Sequence, residues 1–319
     1  MKITVIGAGR WGSFIAWYLN DLGHTVTLYG PADTPDMIRF AETRTNGIVT
    51  MPDSLTLSND LSASLDADAV VISIGSQGLR SLLGEILACN KAKLPPFILC
   101  MKGIEISTGK RLSEVVKDCI PDATCAVWIG PGHPQEFVRG VPNCMIIDSA
   151  NEEFKHYIVT QFKGPRIRFY YGSDLIGNEI GAAAKNVIGI AAGMLDGLGI
   201  PSLKGALMSR GTREVARLIK VLGGNELSAY GLAHLGDYEA TVFSKFSHNR
   251  QFGESFIKGE EYTALAEGYY TTAALKNLCE KYGVEMPISE ALYSILYDGA
   301  DPKETLNSLF ERSLKQEFE

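Results

Sequence analysis

The sequence lacks the features that mark membrane-embedded and secreted proteins. It has no long charge-free apolar run, although 45% of its 319 residues are hydrophobic, and it opens with Met1, Lys2 and a strand-like segment. A membrane-spanning helix needs about 20 consecutive apolar residues, and a secretory signal needs an apolar stretch behind a basic start. We therefore expect a cytoplasmic protein with no integral membrane segment and no secretory signal.

Basic charge and paired cysteines are also scarce. The formal net charge is −7, whereas a nucleic-acid partner requires a basic face, so we expect no nucleic-acid binding. The six cysteines, at positions 89, 100, 119, 125, 144 and 279, have no paired spacing typical of zinc or redox sites. This spacing favours reduced cytoplasmic thiols and predicts no metal site. A chain of 319 residues is typical of two domains.

A glycine-rich turn follows the first predicted strand. Residues 3–6 predict a short strand that leads directly into Gly7, Gly9 and Gly12, at the spacing Gly-x-Gly-x-x-Gly, and a helical segment follows. In dinucleotide-binding folds the first glycine makes the tight turn, the second lets the backbone approach a pyrophosphate, and the third lets the helix pack on the strand. The pyrophosphate then faces the helix N-terminus. The sequence therefore predicts NAD or NADP as the cofactor.

The residues after the second predicted strand do not decide between these two cofactors. The strand spans residues 26–29, and Gly30 and Pro31 follow it. An acidic residue here binds the ribose hydroxyls of NAD, whereas an arginine nearby accommodates the additional phosphate of NADP. Neither residue type is present at this position, so the preference stays open.

Apolar segments of strand length alternate with helical or loop segments through the first half of the chain. Further strands are predicted at residues 69–74, 97–101, 126–129, 145–148 and 166–171. This alternation is typical of a doubly wound α/β fold with a mostly parallel sheet. Strand signals stop near residue 175. We therefore predict a dinucleotide-binding Rossmann domain over residues 1–176 and an all-α substrate-binding domain over residues 177–319.

Lys185 is the only charged residue within residues 180–195, which otherwise have the pattern of a buried helix. Small residues on its face permit close approach by another backbone or by a ligand. A buried lysine also has a pKa that its surroundings can shift, which suits it to acid–base chemistry. The alternative is a structural ion pair with Glu179 or Asp196. The small or polar residues that share the face of Lys185 at helical spacing are Asn178, Gly181, Gly189 and Gly193.

A second lysine, Lys102, follows the end of a predicted strand, which is where ligands lie in open α/β sheets. With this lysine in place, the chain resembles bacterial-type NAD(P)-dependent glycerol-3-phosphate dehydrogenase over essentially its full length. The motifs that carry the resemblance lie in the family's order, at residues 7–12, 101–105, 130–131, 181–187, 196–199, 209–211, 235–237, 249–250 and 267–269.

The resemblance implies reversible hydride transfer between NAD(P)H and dihydroxyacetone phosphate, giving sn-glycerol 3-phosphate for phospholipid synthesis. It implies a small phosphorylated substrate, and we expect a homodimer. Lys185 is implied to be the catalytic proton carrier, with Lys102 and Asp237 beside it. The implied substrate-binding residues are Lys102, Gly130, Gly132, Lys185, Asn186, Asp237, Thr241, Ser247, His248 and Asn249. The implied cofactor-binding residues are Gly7, Gly9, Arg10, Trp11, Gly12, Pro31, Lys102, Pro134, His248, Arg250, Leu265 and Glu267.

Three features depart from the family pattern, one of which is the stretch at residues 238–246, where the usual Cys and second Thr are absent. His248 stands where the family usually has an arginine that contacts both substrate phosphate and cofactor, so bidentate capture of phosphate is lost there. Either Arg250 takes its place, or phosphate binding is weaker and more pH-dependent, and we expect arginine at position 248 to tighten substrate binding. Gly132 lacks a side-chain donor that the family usually has. His133, beside it, and His234 are further candidates for a catalytic base.

Two alternative functions remain at the level of the sequence. Another β-hydroxyacid or ketopantoate-type dehydrogenase would share the two-domain plan and the helix lysine, but its substrate would not need a phosphate. A non-catalytic dinucleotide-binding protein would bind the cofactor without turning over any small ketone.

Overall fold

An eight-stranded sheet forms the first part of the chain and a group of helices forms the second, in a computed structural model that describes residues 1–314 and 316–317. The strands are β1 (Lys2–Ile6), β2 (Thr25–Tyr29), β3 (Thr56–Ser58), β4 (Ala69–Ile72), β5 (Phe97–Leu99), β6 (Cys125–Ile129), β7 (Asn143–Ser149) and β8 (Ile167–Tyr171). Their order in the sheet is β3-β2-β1-β4-β5-β6-β7-β8. Every neighbouring pair is parallel except β6 and β7, which are antiparallel.

Helices cover both faces of this sheet and then continue alone to the end of the described chain. They are α1 (Arg10–Asp21), α2 (Pro35–Thr43), α3 (Leu61–Ser64), α4 (Leu79–Ala88), α5 (Leu112–Cys119), α6 (Pro134–Val138), α7 (Glu152–Phe162), α8 (Leu175–Gly197), α9 (Lys204–Val221), α10 (His248–Lys258), α11 (Glu267–Tyr282), α12 (Pro287–Tyr297) and α13 (Pro302–Phe310). Buried side chains of α1 and α7 form the core on one face of the sheet, and those of α4 and α5 form the core on the other.

The predicted fold class is confirmed, with one strand missed. The seven predicted strands are all present, and the mostly parallel sheet is followed by helices from Leu175 onward. Sequence patterning missed β3, a strand of three residues that pairs only with β2 at the edge of the sheet. Residues 315, 318 and 319, at the end of the predicted second domain, lie outside the described residues.

The 23-residue helix α8 is the centre of the helical part and confirms the buried helix predicted around Lys185. Its glycine-rich face admits another backbone. A Cβ on Gly193 would overlap the carbonyl oxygen of Arg250, and one on Gly253 would overlap that of Ile190. Glycines on α8 and α10 therefore allow these two helices to touch backbone to backbone, which fixes the start of α10 beside Lys185.

The carboxyl ends of the parallel strands bring several predicted residues to one edge of the sheet. The glycine turn follows β1, Lys102 follows β5, and residues 130–133 follow β6. The chain reverses its direction of travel across the sheet between β1 and β4, and open α/β sheets bind their ligands at such a point. In the described part of the chain, none of the helices has the length and apolar content needed to cross a membrane.

Candidate active site

The glycine turn has the geometry that a dinucleotide requires. Gly7 has φ +110° and donates its N–H to the carbonyl oxygen of Tyr29 at 2.9 Å, so it makes the turn out of β1. A Cβ on Gly12 would overlap the carbonyl oxygen of Gly7, which explains the close packing of α1 on the strand. Space is open at Gly9, where, apart from its neighbours in the chain, the described residues bring only an atom of Asp36 within 4 Å of an added Cβ. The turn thus leaves room for a pyrophosphate at the N-terminus of α1.

Asp36 brings to this turn an acidic group that sequence spacing did not find. It lies in the first turn of α2, and its Oδ2 atom is 3.9 Å from the position that a Cβ would occupy on Gly9. The expected position for a ribose-binding acid was the end of β2, where Gly30 and Pro31 stand instead. A carboxylate therefore reaches the loop from the following helix.

Two lysines from different parts of the chain share one buried carboxylate. The ammonium groups of Lys185 and Lys102 each lie 2.7 Å from Oδ2 of Asp237, whose side chain is 1% exposed. Lys185 also donates to the hydroxyl of Thr241 at 2.7 Å, and Lys102 donates to the carbonyl oxygen of Gly130 at 2.8 Å. This lysine pair, meaning Lys185 and Lys102 on Asp237, joins the helical part of the chain to the edge of the sheet.

The surroundings of Lys185 poise its ammonium group for proton transfer. Burial lowers the pKa of Lys185 to about 8, with Asp237 opposing this shift and the like charge of Lys102 adding to it. A buried amine with a pKa near the working pH can both give and take a proton. The lysine pair therefore places a second ammonium group beside the titratable amine of Lys185.

Lys185 pairs with neither Glu179 nor Asp196, the two partners predicted for a purely structural ion pair. Glu179 instead accepts hydrogen bonds from Arg111 and Ser113. Asp196 accepts from Lys204 at 2.7 Å and from Arg250 at 2.6 Å. Lys185 is paired with Asp237, at the cleft between sheet and helices rather than on the far side of the fold.

A chain of amide side chains holds Lys102 in place against three helices. Asn186 donates to the carbonyl oxygen of Lys102 at 3.0 Å, and Asn249 donates to the side-chain oxygen of Asn186 at 3.0 Å. The backbone N–H of Gly268 then donates to Asn249 at 2.8 Å. Because these residues lie on α8, α10 and α11, the chain fixes the β5 loop relative to all three helices.

Arg10 crosses the cleft from the glycine turn to the start of α10. Its Nη1 atom lies 2.8 Å from Nε2 of His248 and donates to the carbonyl oxygen of Phe246 at 3.2 Å. On its other side, Nδ1 of His248 lies 2.7 Å from the hydroxyl of Tyr262. Burial, reinforced by Arg10, lowers the pKa of His248, so this imidazole is neutral. Position 248 is therefore linked to the glycine turn rather than left free.

Two buried polar atoms in the cleft have no hydrogen-bond partner among the described residues. They are Oδ1 of Asp237 and Nε2 of His133. Burial lowers the pKa of His133 to about 4, and the neighbouring charges of Arg10 and Lys185 add to the shift. His133 is thus a neutral imidazole near the lysine pair. Orphaned polar atoms in a cleft indicate that a ligand completes the site.

The remaining predicted residues line the cleft in part. Glu267, at the start of α11, accepts hydrogen bonds from the backbone N–H and the hydroxyl of Ser76 in the loop after β4, and burial raises its pKa. Leu265 lies against the same loop, 3.6 Å from the Cβ position of Gly75. The other placements are as follows: Trp11 has its ring centroid 5.7 Å from the ammonium of Lys102, Pro31 follows β2, Pro134 begins α6, Gly132 has φ +131°, and the hydroxyl of Ser247 caps α10.

Two predicted candidates are held by other groups in the structure. The guanidinium of Arg250 is paired with Asp196 at 2.6 Å and with Glu254 at 3.3 Å, so its contact with a cofactor stays a prediction. Both ring nitrogens of His234 have partners, the carbonyl oxygen of Gly181 at 2.8 Å and the hydroxyl of Tyr238 at 2.7 Å. His234 is fully buried by this packing and is not available as a base.

A Rossmann sheet with a lysine pair at its carboxyl edge defines a nucleotide-dependent dehydrogenase with a helical second domain. Two family models match, described as the N-terminus and the C-terminus of NAD-dependent glycerol-3-phosphate dehydrogenase, over residues 2–155 and 174–307. The chain belongs to the NAD-dependent glycerol-3-phosphate dehydrogenase family. The predicted family, cofactor class and enzyme class, an NAD(P)-dependent oxidoreductase acting on a CH–OH group, are therefore confirmed.

Individual relatives agree with this assignment along the whole chain. The glycerol-3-phosphate dehydrogenase (NAD(P)+) of Geobacillus kaustophilus is 39% identical, with 100% of this chain and 96% of that protein covered. The enzyme of the same name from a Thermoanaerobacter species is 36% identical, with 100% and 99% covered. The crystal structure of glycerol-3-phosphate dehydrogenase from Coxiella burnetii has a TM-score of 0.91 at 28% identity, covering 98% of this chain and 99% of that one. The two alternative functions gain no support from these findings.

Proposed function

We propose that this protein interconverts dihydroxyacetone phosphate and sn-glycerol 3-phosphate, with Lys185 as the proton carrier. The observation that supports this most directly is the sharing of the buried Asp237 carboxylate by Lys185 and Lys102. One carboxylate cannot neutralise two ammonium groups, so the lysine pair presents net positive charge inside a cleft. Negative charge that develops on a substrate oxygen would be stabilised there.

A nicotinamide held at the glycine turn would supply the hydride chemistry, and residues of the protein handle the proton. In the reduction direction, the ammonium of Lys185 stabilises the developing alkoxide at the carbonyl oxygen and then donates a proton to it. In the oxidation direction, the neutral amine of Lys185 takes the hydroxyl proton. Thr241 and Asp237 hold the Lys185 amine in place, at 2.7 Å each, and Lys102 adds a second positive charge.

The other predicted residues have supporting roles in this proposal. Asn186 and Asn249 fix the loop of Lys102 through their hydrogen-bonded chain, and Ser247 orders the first turn of α10. The glycine turn leaves space for the pyrophosphate, and Glu267 is hydrogen-bonded to the loop after β4. The same proposal divides the chain at residue 176 and includes the predicted homodimer and cytoplasmic location. Sedimentation equilibrium of the purified protein would test the dimer.

Turnover of matched substrates tests the proposed reaction. We expect oxidation of NADH or NADPH with dihydroxyacetone phosphate, and a much slower reaction with unphosphorylated dihydroxyacetone. Equal rates with the two ketones would favour the dehydrogenases that do not require a phosphate. Cofactor binding without turnover of either ketone would favour the non-catalytic alternative.

Substitution of Lys185 by alanine tests the proton carrier. We expect Lys185→Ala to lower kcat by about 10²- to 10⁴-fold, because general acid–base catalysis typically contributes that much. The dissociation constant for NADH should change little. Lys204→Ala is the matched control, since Lys204 is another buried lysine in a 2.7 Å ion pair, with Asp196, on the helical side of the protein. Near-normal kcat in Lys185→Ala would remove this lysine from the mechanism.

A further inference from the structure

The cleft contains a guanidinium that no carboxylate neutralises. Within the residues that the structure describes, Arg10 has no ion pair, and its side chain hydrogen bonds only to Phe246 and His248 through Nη1. Both of these partners are uncharged. The Nε and Nη2 groups of Arg10 have no hydrogen-bond partner in the same set of residues. Arg10 is therefore a cation with donors left for a ligand.

The other cations described in the cleft each contact a carboxylate. Lys102 and Lys185 share Asp237, and Arg250 is paired with Asp196 and Glu254. A phosphate group that enters the cleft would meet Arg10 as the guanidinium that is not engaged. Arginine suits this role because its planar fork can hold two phosphate oxygens at once.

His248 has no donor left for a phosphate in this arrangement. A guanidinium can only donate hydrogen bonds, so the 2.8 Å contact with Arg10 makes Nε2 of His248 an acceptor. The ring proton of the neutral imidazole then lies on Nδ1 and is donated to the hydroxyl of Tyr262 at 2.7 Å. Both nitrogens are used, so His248 orients Arg10 and does not itself bind an anion.

We propose that Arg10, supplied by the glycine turn, is the cation that binds the phosphate of the substrate, and that His248 positions its guanidinium. The inference rests on the proposed function, because it needs a phosphorylated substrate. It also explains how the site can bind phosphate with a histidine at position 248, where the family usually has an arginine. The positive charge comes from the other side of the cleft, from the nucleotide-binding domain.

This proposal changes the outcome expected for arginine at position 248. In His248→Arg alone, a second guanidinium would lie within hydrogen-bond distance of Arg10, and the two like charges would repel. We therefore expect that variant to bind substrate more weakly than the wild type does. In the double variant Arg10→Gln/His248→Arg, a single guanidinium remains, now carried by α10, and binding should recover.

The experiment compares the wild type with Arg10→Gln, His248→Arg and the double variant at one fixed ionic strength. We expect Arg10→Gln to raise the KM for dihydroxyacetone phosphate by about 10- to 100-fold, as loss of a charge-assisted hydrogen bond does. Because Arg10 also lies at the glycine turn, the test is differential: the rise in KM should be at least about 3-fold larger than any change in kcat/KM with unphosphorylated dihydroxyacetone or in the dissociation constant for NADH, measured by fluorescence. Arg168→Gln removes an exposed positive charge on β8 and serves as the control for general electrostatics.

Specific results would overturn the proposal. If Arg10→Gln weakens NADH binding as much as it raises the KM, Arg10 binds the cofactor and not the substrate phosphate. An equal loss with the unphosphorylated ketone, or no recovery in the double variant, would also contradict it. If the wild type does not turn over dihydroxyacetone phosphate, the proposed function fails separately. Thermal stabilisation by glycerol 3-phosphate then decides: its loss in Arg10→Gln supports the role of Arg10, and its persistence refutes it.

Discussion

Lys185 is buried and yet has a counter-ion, and this combination sets its affinity for a proton. Burial disfavours the ammonium form, whereas the carboxylate of Asp237 favours it, and the outcome is a pKa of about 8. An ordinary lysine, with a pKa of 10.5, would rarely be neutral in a cell. The amine in this site is partly neutral near neutral pH, so the same residue can serve both directions of the reaction.

The rate should therefore depend on pH with opposite signs in the two directions. In the proposed role of Lys185 as proton carrier, ketone reduction needs its ammonium form, so kcat/KM for reduction should fall as the pH rises through about 8. Alcohol oxidation needs the neutral amine, so its kcat/KM should rise over the same interval. Initial rates from pH 6 to about 10 in both directions would check this, with kcat/KM reporting the free enzyme. Profiles with the same sign in both directions would contradict the assignment.

The residue types of the site were predictable, but their partners were not. A single lysine on a helix face of small residues indicated acid–base chemistry. The family resemblance then implied that Lys102 and Asp237 lie beside it in the active site. Sequence spacing could not show that both lysines meet one oxygen of Asp237, because the three residues come from separate loops and helices. Nor could it connect Arg10 with His248, which are 238 positions apart in the chain. Such contacts exist only after the domains pack together.

Glycines allow helices α8 and α10 to approach closely, so a side chain introduced at this contact should lower the stability of the protein. Gly193 meets the backbone of α10 directly, so any side chain there must push the helices apart. Because backbone atoms cannot rotate away as a side chain can, this contact is less tolerant than ordinary core packing. The start of α10, which carries His248 and Asn249, would move with it.

A pair of glycine substitutions tests this packing. We expect Gly193→Ala to destabilise the protein by at least about 2 kcal/mol, in the range of an overpacked core. Gly84→Ala is the control, since Gly84 lies in the middle of α4, is exposed and has open space around it. That change should stabilise by roughly 0.5 to 1 kcal/mol, because alanine favours helix. Chemical unfolding of the two variants measures both effects, and a neutral Gly193→Ala would contradict the contact.

At the level of elements, buried segments were predictable and the short edge strand was not. The strands of the sheet interior are apolar on both faces, which gives a continuous signal in the sequence. By contrast, β3 is only three residues long, Thr56–Ser58, and two of them are polar. It becomes a strand because β2 offers an unpaired edge, and this depends on tertiary structure rather than on local pattern.

The stability of the whole molecule should carry a pH dependence from one buried acid in the helical domain. Glu214 on α9 accepts hydrogen bonds from the backbone N–H groups of Ile288 and Ser289 at the start of α12. Burial nevertheless raises the pKa of Glu214 from 4.5 to about 7. The folded state therefore holds this proton more tightly than the unfolded state does. The stabilisation is fully present below pH 4.5 and is lost as the pH rises through about 7.

Replacing this acid with its amide should remove the dependence. Relative to the wild type, Glu214→Gln should gain on the order of 2 to 3 kcal/mol in free energy of unfolding between pH 5 and pH 8, because glutamine does not titrate. Urea unfolding of both proteins at equal concentration and several pH values measures the difference. Other titrating groups, such as the buried histidines, cancel in the comparison. A difference that stays constant with pH would contradict the assignment of this effect to Glu214.

The lysine pair and Arg10 together place three basic side chains in one cleft, within a chain whose formal net charge is −7. At the lysine pair, two ammonium groups share the carboxylate of Asp237, so with Lys185 protonated this part of the cleft has positive charge in excess, which a substrate phosphate offsets. Attraction of the substrate is then a local property of the cleft, since the acidic exterior repels anions at long range. The ketone and the alcohol carry the same phosphate, so the positive charge of the cleft holds both forms of the substrate.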